Sequence, residues 1–295
     1  MHSSELGEFL RSRRARIRPE DCGLPAFGRR RVPGLRREEV AQLAGVSVDY
    51  YVRLEQGRGA SVSDAVLDAV ARVLRLDATE HGHLRDLVRA DRRSPALHRP
   101  PGSGHAAPVR EGVRVLLDAV GAAPAFVLGR RMDVLAWNAL GDAVVGFSGM
   151  PARRRNMACA VFLDPAAREV YPDWESVAAD TVAHLRLDAG RHPGDRRTDA
   201  LVSELSASGP DFVRLWNARQ VKEKTHGTKR MCHPQAGELH FGFESLALPG
   251  DPDQTLVVYT APAGTDTADR LDRLAAHASG ERTGEYEEAL ALGGG

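Results

Sequence analysis

Residues Leu35 to Leu54, LRREEVAQLAGVSVDYYVRL, constrain this chain more than any other stretch. Val40, Ala41 and Ala44 recur at helical spacing and Gly45 breaks the pattern. Ser47 then stands where it caps a second helix, whose inner face is Tyr51 and Leu54. Ala41 has to be small because the second helix crosses above it. Gly45 suits a turn with positive φ, which costs a residue with a Cβ about 1 kcal/mol or more. A generic helical hairpin needs neither constraint so close to the other. Together they predict a helix-turn-helix unit, the arrangement that offers its second helix to a DNA groove.

Charge supports that reading from a different direction. The 295 residues carry 40 basic and 40 acidic side chains, so the formal net charge is zero. Its distribution is uneven: net +6 over the first 37 residues, +5 through residue 100, and −5 over the remainder. A basic head on an acidic body points to a polyanion partner at one end only. Three cysteines, Cys22, Cys159 and Cys232, form no CxxC pair, which argues against a disulfide framework or a structural zinc site. The N-terminus turns polar and basic at once and no stretch approaches the ~20 apolar residues of a membrane span. The expectation is a cytoplasmic protein with no membrane contact.

Apolar periodicity divides the chain. Leu6 to Ile17 reads as a short helix, residues 18–34 as a Pro-rich loop, and the two-helix unit follows. Ser61 or Ser63 caps a fourth helix through Leu76, and Asp77 begins a fifth with Leu84, Leu87 and Val88 apolar. The segment DRRSPALHRPPGSGHAAP, 91–108, is rich in Pro, Gly and Arg and reads as a linker. Beyond it lie a helix at 110–120 and strand candidates at 125–128 and 134–137. Helical patterns occupy roughly 139–146, 154–163, 174–189, 198–207 and 211–220, and strands 225–233, 238–248 and 255–260 close the order. Leu239, Phe241, Phe243 and Ser245 alternate with His240, Gly242 and Glu244, the period of a sheet with one buried face. Two strands, several helices and three antiparallel strands are the order of a PAS-like domain. The division expected is a helix-turn-helix domain at 1–90, a linker at 91–108, a PAS-like α+β domain at 109–278 and a tail at 279–295.

Residues 6–88 resemble the lambda-repressor-like (XRE-type) helix-turn-helix domain. The fragments PAFVLGRRMDVLAWNAL, RNMACAVFLDP, YPDWESVAADTVAHLR, LVSELSASGPDFVRLWNA and HPQAGELHFGFESLAL occur in the order and spacing of the MmyB-like regulators. Residues 109–275 are similar to the ligand-binding domain of that family. The resemblance implies a transcription regulator whose PAS-like domain holds a fatty-acid-like ligand. Transferred by position, Arg36 and Arg37 meet the phosphate backbone, and Ser47, Val48, Asp49, Tyr50 and Arg53 form the outward side of the recognition helix. Arg53 suits a two-bond contact to guanine O6 and N7, and Val48 a thymine methyl. The competing reading pairs Arg53 with Asp49 or Glu55 on a solvated helix. Arg29, Arg30 and Arg31 are either solvated or further phosphate contacts.

For the ligand, Phe126, Trp137, Phe241 and Phe243 are candidate pocket walls. A buried carboxylate needs a donor to offset its desolvation. Arg186, at the end of the apolar face Ala178, Val182 and Leu185, is the first candidate, with Asn138 and His233 as the second. The run 222–226, with two of the chain's three lysines, reads as a solvated face. His233 follows Cys232, but no second Cys/His pair has ligand spacing, so no metal is expected. GxSxG, GxGxxG, P-loop and CxxCH spacings are absent, so neither an enzyme nor a cofactor is expected. The partners expected are duplex DNA, a hydrophobic small molecule and a second copy of the chain. The alternative is a constitutive DNA-binding and dimerisation module without a ligand.

Overall fold

The computed structural model describes residues 4–24, 34–57, 62–92 and 108–276. Five helices come first: α1 (Glu5–Arg14), α2 (Arg37–Ala44), α3 (Val48–Glu55), α4 (Asp64–Val73) and α5 (Ala78–Arg92). Helix α6 (Glu111–Ala119) then leads into β1 (Ala125–Leu128) and β2 (Val134–Trp137). Next are α7 (Ala139–Val145), α8 (Met157–Phe162), α9 (Ala167–Val170), α10 (Trp174–Arg191), α11 (Arg196–Ser208) and α12 (Pro210–Asn217). Strands β3 (His226–His233), β4 (Gly237–Ala247) and β5 (Thr255–Thr260) follow, and a last helical stretch covers 266–276.

These elements form two compact units. The first joins the described residues up to Arg92 to Val182–Glu223, and the second takes 108–181 with 224–276. The division falls inside α10, so part of the segment expected to belong wholly to the PAS-like domain packs with the N-terminal helices. In the first unit Leu6, Phe9, Leu10, Val40, Tyr51, Leu54, Leu67, Val70 and Leu84 share one core with Leu187 and Val221. Serines cap the helices, Ser47 and Ser63 as expected and Ser4 in addition: Ser4 accepts from the Gly7 N–H, Ser47 from Tyr50 and Ser63 from Val66. Gly45 ends α2 at φ +70°, and the Val46 N–H reaches back to the Ala41 carbonyl at 3.0 Å. That bond closes the turn by satisfying a carbonyl at the helix end.

The second unit is built on one antiparallel sheet of order β2-β1-β5-β4-β3. Val113 and Leu117 of α6 pack against Ala125, Val127, Ala136 and Leu256 on one face. The opposite face is aromatic. Phe126 stacks edge-on to Phe147 and Tyr259, and Phe241 lies flat on Tyr259 at 5.1 Å. Register places Lys229 opposite Phe241 and Tyr259 opposite Phe243.

The expected class, an all-helical helix-turn-helix part followed by an α+β part with an antiparallel sheet, is what the structure has. Differences are local. Helix α1 stops at Arg14 rather than Ile17, a 3-10 turn spans Pro19–Cys22, and α9 and the helix at 266–276 have no counterpart in the sequence reading. The linker lies outside the described residues except for 91–92 and 108, as do Ser61 and Arg29, Arg30 and Arg31. None of the three cysteines is in a disulfide.

Candidate functional site

In the first unit, α3 turns Val48, Asp49 and Arg53 to solvent while Tyr51 and Leu54 point into the core. Val48 is 41% exposed, so its apolar side chain is available on the outward side of α3. Tyr50 is half-buried and packs partly on that core. Ser47 is exposed and its hydroxyl caps α3, so the positive end of the helix and its capping serine face the same side. Arg36, exposed, precedes α2 and its backbone N–H donates to Glu39 Oε2 at 2.6 Å.

Glu55 organises the surface from beneath. Its side chain is 1% exposed and receives Arg14 through Nε and Nη2, at 3.2 and 3.1 Å. Arg37 binds the same carboxylate at 3.1 and 2.9 Å while staying 46% exposed. Glu55 is therefore committed to Arg14 and Arg37, and it is not a partner for Arg53. Among the described residues Arg53 forms no ion pair, with Asp49 or any other acid. Arg37 is held by one edge of its guanidinium and keeps the rest toward water.

Among the described residues of the second unit, two cavities stand out by their lining. The smaller, about 220 Å³, lies among Val144, Ala160, Val170, Tyr171, Met231 and His233. The larger, about 850 Å³, is a groove between the first turns of α10 and the strands β3 and β4, walled by Val177, Phe241 and Phe243. Small-molecule sites occupy about 300–1,000 Å³, so the groove has the size of one and the smaller cavity does not.

The family described as MmyB-like transcription regulator ligand binding domain matches residues 109–274, more than half of the chain. The chain belongs to the MmyB-like transcription regulators. A helix-turn-helix domain family matches residues 5–84 of the regulator. No curated protein matches it. Both matching families are regulatory rather than enzymatic.

The regulator distributes the candidate ligand residues unevenly. Phe241 and Phe243 line the large groove and His233 the small cavity. Phe126, buried, and Trp137, half-buried, pack on Phe147, and Arg155 lies 4.8 Å over the Trp137 ring. His233 has no free donor: Nδ1 accepts from the Gln235 and Ala236 N–H groups, which leaves the proton on Nε2 for the Ala143 carbonyl at 3.0 Å.

Two of the candidates are engaged elsewhere in the structure. Asn138 is the N-cap of α7 and is fully used by backbone. Its Oδ1 accepts from Ala125 and Gly141, and Nδ2 donates to the carbonyls of Leu117, Val120 and Ala123. Arg186 belongs to the first unit and lines neither cavity. It is buried, ion-paired with Glu5, bonded to the Trp216 carbonyl and stacked 3.9 Å over the Trp216 ring. Burial lowers its pKa and Glu5 opposes that shift.

The sequence reading passed over Lys229. This side chain is 7% exposed, lines the large groove and lies against the rings of Tyr171 and Tyr259. Its strand parity with Met231, a position that turns inward, was the available signal. Among the described residues, no cluster of His, Cys, Asp and Glu is placed to hold a metal, and no helix is long and apolar enough to cross a membrane.

Proposed function

We propose that this regulator reads duplex DNA through α3 and responds to a small hydrophobic, fatty-acid-like molecule held in the second unit. The observation that carries the DNA half is Arg53. It stands exposed and without an acidic partner among the described residues, in the last turn of α3, the helix that Ser47 caps and Val48 begins. A guanidinium left free on such a face fits a two-bond contact to guanine, worth roughly 1–3 kcal/mol of discrimination. Arg36 and Arg37 serve the phosphate backbone, with Arg37 oriented by Glu55. Selection of bound DNA from a random library, repeated with Arg53→Ala, tests this. Preference at one base position should relax while total binding still falls with salt; unchanged preference at every position would remove Arg53 from base readout.

The large groove and the family match support the sensor half. A homodimer in the cytoplasm completes the proposal. Two copies would meet half-sites about 34 Å apart, one duplex turn. The selected operator should then be a pseudo-palindrome of that spacing. Native mass spectrometry of the full chain reads the ligand half: a constitutive module would retain and accept no apolar molecule.

A further inference from the structure

Lysine 229 is an expensive residue where it stands. Its strand lies at the sheet edge, yet the side chain turns inward and is buried. The ammonium reaches the Tyr259 hydroxyl at 3.4 Å, a long hydrogen bond, and lies 4.5 Å from the centre of the Tyr171 ring and 5.8 Å from that of Tyr259. Neither phenol supplies a negative charge. Burial pushes Tyr171 up to about 12 and Tyr259 higher still, so both are neutral near pH 7. Among the described residues no carboxylate pairs with Lys229. Desolvation drives its pKa well below the usual lysine value, and Lys224, the one charge acting on it, lowers it further. The groove does contain acids, Asp173 and Asp180, and Asp173 is bound by both arms of Arg230 at 2.8 Å.

A buried lysine without a counter-ion costs folding free energy unless something bound to the folded state compensates it. Loss of the proton lowers that cost while nothing is bound, and a bound group restores the ammonium if it carries one negative charge, accepts the two N–H donors that Tyr259 leaves over, and brings apolar surface to Phe241 and Phe243. A carboxylate on a hydrocarbon chain meets all three requirements. We propose that the Lys229 ammonium is the counter-ion for the carboxylate of an amphiphilic ligand whose chain lies in the groove along Phe241 and Phe243. This inference rests on the sensor function proposed above and adds where the headgroup binds and why an acid is selected over neutral lipids.

The test compares dodecanoate, dodecanol and methyl dodecanoate on the full chain by titration calorimetry. The acid should bind about tenfold tighter than either neutral analogue, the size of one charge-assisted hydrogen-bonded contact. Lys229→Met should remove that preference while leaving dodecanol affinity within about threefold, since methionine keeps the length and apolar stem. Lys229→Arg should keep part of it. The ligand-free Lys229→Met protein should also melt at or above the wild-type temperature, which shows that the variant folds. Equal binding of acid and alcohol by the wild type, or an acid preference that survives Lys229→Met, would overturn the lysine assignment and leave the sensor function standing. Binding of none of the three would overturn both.

Discussion

Glu55 is the residue on which the surface formed by α2 and α3 depends. Its carboxylate is buried with two guanidiniums on it, so Glu55→Ala leaves Arg14, itself mostly buried, without its charge partner. Breaking a buried pair costs about 3–5 kcal/mol, and the half-solvated Arg37 argues for the lower end. Urea denaturation should show a loss of about 3 kcal/mol for Glu55→Ala and under about 1 for Arg37→Ala. A second buried group sets a pH dependence. His83 lies edge-on to Phe9 at 5.0 Å, and burial first, then Arg186 and Arg13, lower its pKa to about 4. The folded state thus resists a proton that the unfolded chain accepts near 6.5. The stabilisation is complete above about pH 6.5 and is lost as pH falls toward 4, up to about 3 kcal/mol. Denaturation series at pH 7 and pH 5 should show that slope in the wild type and its absence in His83→Gln. At this scale the sequence was only partly legible. Ser47, Val48, Asp49 and Arg53 follow from helical phase alone. The fates of Arg186 and Asn138 depend on partners far along the chain, Glu5 for the one and Leu117 for the other, which no local pattern names. Lys229 was hidden because two neighbouring lysines made its stretch look solvated.

The elements themselves were readable because their periods are strong. The α2–α3 turn follows from Gly45 and Ser47, and Ser47→Ala should cost about 1 kcal/mol through the lost cap, seen in thermal melts. Gly45→Ala should cost a comparable amount, because a Cβ resists φ +70°. The strand pattern of β4 gave its buried face at once, since Leu239, Phe241 and Phe243 alternate with exposed neighbours. Short elements escaped: α9 has four residues, too few for a period to register. Helix α10 shows a different limit. Its apolar face reads as one continuous stripe, but Ala178 falls in one unit and Leu185 and Leu187 in the other, and periodicity does not say what covers a stripe. Gly190 marks the close approach within the first unit, where a Cβ would land on the His83 ring. Gly190→Ala should therefore destabilise by about 1–3 kcal/mol, measured by the same denaturation, although alanine favours helix.

Across the whole molecule, family boundaries and packing boundaries disagree. The helix-turn-helix match ends at residue 84 and the ligand-binding match begins at 109, yet Val182–Glu223 from within the second match is part of the first compact unit. Leu187 and Val221 belong to the core that holds α1 to α5. Buried Arg13 donates to the Arg219 carbonyl at 2.6 Å and pairs with Glu80, while Arg219 pairs with Glu5 and Glu8. A fragment ending at Arg92 keeps the Arg13–Glu80 pair but loses Arg186 and Arg219, the partners of Glu5 and Glu8, and the carbonyl that Arg13 binds. It should melt well below the first unit of the intact chain, with α1 losing hydrogen-exchange protection before α4. The same arrangement limits how such regulators diversify. A DNA-reading head is commonly pictured as a cassette, traded between sensors by recombination in the linker. Here a crossover at 93–107 would join one lineage's α1 and α5 to another lineage's α10 and α12, with mismatched charges at Glu5, Arg13, Arg186 and Arg219. Substitution within the head therefore disturbs this packing less than exchange of the whole head does.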